Sequence, residues 1–237
     1  MTPRDENPNS MGALLRAEVQ TIRDWIVQRT ASLAWFCVTA IVVGAGLYGA
    51  AIGSWREPLQ ALYTGIKLPL AMLLTTLGNG LLNSMLAPLL GLNVTLRQSF
   101  VLVLFGFAVT AILLGALSPV ALFLVWNTPP LNTATRLSSP EYGFLQLTLA
   151  FIVAIAGVTG CARLWPLLRE WAGSARVGSK VLVAWLATNL LLGSQICWVL
   201  RPFIWDPAGP VRFIGREYFR GSFFETVFEA LRRLLFT

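Results

Sequence analysis

An all-α, polytopic transmembrane helix bundle is the fold class that this chain predicts, and three observations carry it. Hydrophobic residues make up 56% of the 237 positions and charged ones only 12%, about half the charged share of a soluble domain. The apolar residues come in runs of about twenty rather than periodic half-faces, the length needed to cross a hydrocarbon core of about 30 Å. No Asp or Glu falls within any of those runs. About five spans follow, near 33–53, 68–90, 99–117, 143–162 and 181–200, with four or six as the neighbouring counts. They form a bundle over 31–200, preceded at 1–30 by a polar tail and an amphipathic helix. A Pro-rich connector and a second amphipathic helix occupy 201–237.

Residues 1–10 are polar and Pro-containing, and a hydrophilic lead of roughly thirty residues argues against a signal peptide. From 11 to 29, Leu15, Val19, Ile22 and Ile26 share one helical side, with Arg16, Glu18, Arg23, Asp24 and Arg29 around them. Such a helix lies at the interface, packs on the bundle or docks a partner. Trp35 and Trp55 bracket the first span, as interfacial indoles do. Within it, Gly44–Gly49 reads GAGLYG and matches a dinucleotide fingerprint on paper. That fingerprint needs a preceding strand and a solvated helix N-terminus, so an apolar helix interior excludes it. Ala45, Gly49 and Gly53 instead make a small-xxx-small seam for close helix approach.

The second span is the unusual one. Lys67, Ala71, Thr75, Asn79, Asn83 and Ala87 recur every four residues and form one slowly drifting stripe on a helix. A polar stripe on a lipid-immersed helix should face protein or water. The preceding stretch, 56–67, runs along the interface or begins the helix early. Gly78-Asn79-Gly80 is the expected break, and a broken segment would be re-entrant or discontinuous, as transport sites often are. Ordinary interhelical contact is the preferred reading of the same residues, with hydrogen bonds of about 0.6 kcal/mol each.

After a short turn whose Asn93-Val94-Thr95 abuts two spans too closely to be glycosylated, the third span offers Gly106, Thr110, Ala111 and Gly115 for packing. Ser118-Pro119 interrupts the run, leaving 120–125 as a helix extension or a buried loop. Residues 127–142 read as an extramembrane loop. Ala150, Ala154, Gly157 and Cys161 are the expected seam of the fourth span, and 163–180 reads as a basic loop. The fifth span carries Ala184, Thr188 and Gln195 on one face, with Asn189 and Ser194 beside it, a partner stripe for Asn79 and Asn83. Ser222 with Glu225 fits a capping box opening the last amphipathic helix, 222–236.

These residues bound the function. A net charge of +7 spreads along the connecting segments without interleaved aromatics, which fits anionic lipid head groups and excludes nucleic acid. Histidine is absent, which removes His-ligated haem, Ser-His-Asp and Cys-His pairs, and HExxH zinc sites. Cys37, Cys161 and Cys197 sit in apolar runs as small buried side chains. With no activated nucleophile, paired acids, cofactor motif or metal-ligand cluster, an enzyme is not expected. The cations are almost all Arg, a composition typical of GC-rich bacterial genomes, which points to a bacterial inner (plasma) membrane. The first helix and the 163–180 segment favour a cytoplasmic N-terminus. The basic C-terminal tail nearly balances them, and an even span count would bring both termini to one side.

In outline the chain resembles the Yip1 family, whose members have a hydrophilic N-terminal segment, five closely spaced spans and a short far tail. Leu47-Tyr48-Gly49 is similar to part of that family's Asp-Leu-Tyr-Gly-Pro motif, here without its Asp and Pro and inside a span. The resemblance implies a role linked to membrane trafficking and assigns no functional residue. Two function classes remain. One is a scaffold or accessory subunit acting through the bilayer and through a protein partner or self-association. The other is a small transporter or channel component using Thr75, Asn79, Asn83 and Gln195. Proton-coupled pumping is disfavoured, because no spanning segment holds an Asp or Glu and Lys67 lies only near one.

Overall fold

A computed structural model describes residues 19–129, 140–201, 203, 211–215 and 219–225, with 140–142 by backbone alone. Among the described residues there are six long or medium helices and no strand. They are α1 (Val19–Gln28), α2 (Thr30–Gly53), α3 (Pro58–Leu89), α4 (Leu96–Asn127), α5 (Pro140–Ala172) and α6 (Ala175–Leu200). The last five are each long and apolar enough to cross a bilayer. Successive helices run antiparallel, so α2, α4 and α6 point one way and α3 and α5 the other.

The chain turns where its residues dictate. At the end of α3, Gly91 takes a φ of 94°, and Leu92 N–H donates to Ala87 O at 2.8 Å while Gly91 N–H donates to Pro88 O at 3.1 Å. That pair of bonds is the Schellman arrangement, in which a residue without Cβ reverses the chain. Thr95 then starts α4 with a capping box, its hydroxyl accepting from Gln98 N–H and its own N–H donating to Gln98 Oε1. Thr95 thus has a structural task in the turn that formally reads as a sequon.

Two expected boundaries move, and two that the sequence leaves open are decided. The break at Gly78–Gly80 is absent, because α3 is continuous over 32 residues and passes through Pro69 as well. The helix also begins early, at Pro58, which places Lys67 within it. Beyond Pro119 the chain stays helical to Asn127, so 120–125 is the helix extension. The basic loop 163–180 is mostly helix, reduced to a turn at Gly173-Ser174 where Gly173 has a φ of 60°. Charge marks where a helix leaves the hydrocarbon, and a helix of 32 residues is about 48 Å long, well beyond a core of about 30 Å.

Packing is tightest among α2, α3 and α4. A Cβ added at Gly49 would stand 2.5 Å from Thr64 O, and one at Gly53 2.6 Å from Gln60 O, both on α3. Gly44 faces the other way, against the Ala111 backbone, and a Cβ at Gly115 would come 2.9 Å from Gly44 Cα. Ala45 between them is fully buried. The glycines of GAGLYG therefore let two helix backbones approach α2 from opposite sides, and the Ala45, Gly49 and Gly53 seam lies in this packed region. Tyr48 is buried in the same helix and donates its hydroxyl to Leu149 O at 3.1 Å, tying α2 to α5.

On α5 the expected seam is displaced. Ala150 and Ala154 are exposed, and a Cβ at Gly157 would meet nothing within 4 Å. The face that packs carries Leu149, Ile152, Ala156 and Gly160. Gly160 is chosen because it alone accommodates the Gly106 carbonyl and the Thr110 hydroxyl of α4.

At one end of the bundle α1 buries Ile22, Trp25 and Ile26 against the other helices. Arg23 Nη1 pairs with Glu170 Oε1 at 3.0 Å, and Gln20 Nε2 donates to the same oxygen at 2.7 Å. The N-terminal amphipathic helix therefore covers the bundle, while its expected portion at 11–18 lies outside the described residues. At the other end Trp55 Nε1 donates to Thr128 O at 3.3 Å. The Ser222 and Glu225 capping box is present in both directions, at 3.1 and 2.9 Å. Residues 226–236 of the predicted C-terminal helix lie outside the described residues, as do 1–10.

Candidate functional site: the polar face of α3

The polar stripe is buried along its whole length and begins earlier than Lys67. Gln60, Thr64, Lys67, Ala71, Thr75, Asn79, Asn83 and Ala87 are each no more than 3% exposed. At 100° per residue, the 23 steps from Gln60 to Asn83 rotate the stripe by about 140° around the helix. One face therefore meets two different covers. Its upper part lies under the connector after α6, and its lower part lies against α6 itself.

Under the connector, Gln60 Nε2 donates to Phe203 O at 2.7 Å and to Thr64 Oγ1 at 3.0 Å. Thr64 Oγ1 donates to Phe203 O at 3.3 Å. Lys67 Nζ donates to Arg212 O at 3.3 Å and lies 5.4 Å from the centre of the Phe213 ring, which also meets Tyr63 edge-on. A backbone carbonyl and an aromatic face thus help solvate a cation that the bilayer would not. Gln60 and Thr64 are the residues that sequence reasoning missed; their signal was the same three-to-four-residue spacing carried back past Lys67.

Lower down, the glycines flanking Asn79 open space for two neighbours. A Cβ at Gly78 would stand 2.9 Å from Leu192 Cδ1 of α6, and one at Gly80 would run into the Phe100 ring of α4. Ser99 Oγ donates to Gly80 O at 3.1 Å. Between them Asn79 Nδ2 donates to Asn189 Oδ1, and one turn on Thr188 Oγ1 donates to Asn83 Oδ1 at 3.0 Å. The segment expected to break is instead a three-helix junction.

The predicted pairing of the two polar stripes is therefore present for Thr188 and is carried further by Asn189. Gln195 takes no part in it. That side chain sits about two turns further along α6 and accepts from Phe223 N–H at 3.3 Å. Thr75 is brought to the junction, but its hydroxyl donates within α3, to Ala71 O at 2.7 Å.

In front of the junction, α3, α4, α5 and α6 leave a cleft of about 750 Å³ between them. Its wall is apolar, with Met72, Phe107, Val158 and Leu186 among its members, and among the described residues no acidic or basic side chain lines it. Thr75, Asn79, Asn83 and Asn189 supply its polar strip. Asn79 Oδ1, Asn83 Nδ2 and Trp185 Nε1 are buried without a hydrogen-bond partner among the described residues. One acceptor and two donors thus lack a partner in residues of a wall made otherwise largely of hydrocarbon. Cys161 and Cys197 also line the cleft, whereas Cys37 is buried elsewhere. Among the described residues no group of His, Cys, Asp and Glu could hold a metal ion.

Comparison with known proteins adds no relative: no protein-family model, no curated protein and no solved structure matches the chain.

Proposed function

We propose that this protein is an integral membrane scaffold or accessory subunit that works by helix and lipid contact, with its N-terminus in the cytoplasm of a bacterial inner membrane. The uneven burial of its spans carries the reading. In an apolar 18-residue stretch of α4, 61% of the residues are buried; in the corresponding stretch of α6, only 11% are. Phe144, Leu147 and Phe151 of α5 and Val183 and Leu190 of α6 are all more than 60% exposed. Two of five helices therefore present broad apolar faces that a partner helix or lipid must cover. Asn79 and Asn83 of α3 each join α6 through one amide atom, as helix-joining groups do.

The cations of the whole sequence divide almost evenly between the two sides, so the orientation rests on Arg23 and Arg29 before the first span and on Arg169, Arg176 and Lys180 between the last two. Positive charge near span ends favours the cytoplasm.

Co-purification in mild detergent tests the role. A stoichiometric protein partner is the expected result, and recovery of the chain alone at every detergent concentration defeats it. Solute flux through liposomes containing only this chain, lost on Asn79→Leu, would establish the transporter reading instead.

A further inference from the structure

We propose that the cleft between α3, α4, α5 and α6 is a binding site for one uncharged membrane lipid. Its hydroxyl or carbonyl head group meets Asn79 and Asn83, and its chain lies along α5 and α6. Chemistry selects this occupant. Asn79 and Asn83 both line the cleft and are each 1% exposed, and each holds one buried amide atom that has no partner among the described residues. Buried polar atoms are ordinarily paired, and an acceptor one helical turn from a donor suits a hydroxyl or an ester carbonyl. Trp185 Nε1 adds a second donor beside them.

A phosphate head group does not fit. The described wall has no cation to balance it, and a charged group in apolar surroundings loses its hydration without compensation. A purely aliphatic side chain from another helix would fill the volume but leave the amide atoms unmatched. The cleft size falls inside the range of about 300–1,000 Å³ typical of small-molecule sites. Gly157 and Ala154 of α5 line it, Ala154 exposed and Gly157 with open space where a Cβ would stand, which accounts for two of the small residues expected as a helix seam.

The test uses the full-length protein in phosphatidylcholine nanodiscs containing a diacylglycerol with a photoactivatable diazirine in one acyl chain. Labelled peptides are then mapped by mass spectrometry. Adducts are expected at cleft residues Val158 and Leu186 in preference to Phe151 and Leu191, which are exposed and lie outside the cleft. Gly157→Trp should abolish cleft labelling and leave the outer positions labelled, since nothing lies within 4 Å of the site of the new Cβ. Ala154→Phe replaces it if the tryptophan variant fails to assemble. Asn83→Leu should lower cleft labelling about threefold, the factor expected for one intramembrane hydrogen bond.

Three results overturn the proposal. Phosphatidylcholine carrying the same diazirine chain should label only the outside; equal labelling of Val158 and Leu186 by it means that the cleft reads no head group. Unchanged labelling in both blocking variants means that the lipid lies elsewhere. Covalent dimers formed through Cys161 or Cys197 by a short bis-maleimide, with no cleft labelling, mean that a second copy fills the space.

Discussion

The bundle contains two kinds of helix contact. Where α2 meets α3 and α4, glycines remove the side chain altogether and backbones touch, as at Gly49 against Thr64 and Gly44 against Ala111. Where α6 meets α3, the contact rests on a few side chains, the Asn79–Asn189 and Thr188–Asn83 hydrogen bonds and Leu192 over Gly78. The first kind has no room for adjustment. The second leaves a cleft beside it and an apolar helix mostly uncovered. Within a bilayer there is no hydrophobic gain from joining two apolar helices, so close packing and hydrogen bonds must do it. A rigid part and a loosely held part therefore coexist in one chain, and the loosely held part is the one able to accept something else.

The sharpest way to break this contrast is to add volume on each side of it. Gly44→Leu places atoms in the α4 backbone and should cost about 3 kcal/mol or more, near the upper end for overpacked sites. Thermal unfolding in detergent, or the monodisperse fraction on gel filtration, reads the loss. Gly157→Leu adds the same atoms at the cleft and should change stability by no more than about 0.5 kcal/mol, the usual range for unpacked positions. Equal damage from both would remove the distinction.

A smaller effect distinguishes the two covers of the α3 stripe. Lys67→Met deletes the charged donor to Arg212 O, a bond of a class worth about 1.5–3 kcal/mol, partly offset because the methionine needs no solvation. Faster tryptic cleavage at Arg212 is expected, with the Asn79–Asn189 contact undisturbed. Cleavage at the unmodified rate would mean that the connector is held by Gln60 and Thr64 alone.

Smaller still is the α3–α6 coupling. A double-mutant cycle with Asn79→Leu and Asn189→Leu should return about 0.6 kcal/mol and no more than about 1.7. Gln195→Leu should leave that coupling unchanged to within about 0.5 kcal/mol, because its amide faces Phe223. A Gln195→Leu variant that weakened the α3–α6 contact would contradict the position found for it.

Much of this architecture was legible in the residues. The five spans, the buried α3 stripe from Lys67 to Ala87, the Ala45, Gly49 and Gly53 seam and the Ser222 cap all follow from spacing and side-chain chemistry acting within one segment. Helix ends were misjudged where charge was taken as a stop, at 163–180, and were left open at the prolines. Membrane helices run on into the interface, and Pro69 and Pro119 are carried inside long helices. The Gly78-Asn79-Gly80 break was misread for a related reason. Glycine beside asparagine signals weakness in an isolated helix, yet here Leu192 and Phe100 occupy the space that the missing side chains leave.

Taken alone, the order of residues determined that the chain is solvated by lipid, that it forms helices, and which face of α3 must be hidden. Those are properties of local composition and of the 3.6-residue period. What hides that face was decided only by tertiary structure. The stripe turns as it climbs, so the connector covers Lys67 while α6 covers Asn79 and Asn83. Choosing Asn189 over Gln195, or Gly160 over Gly157, depends on the rotation of one helix against its neighbour. A shift of one residue turns that face by about 100°, and only the packed partner specifies it.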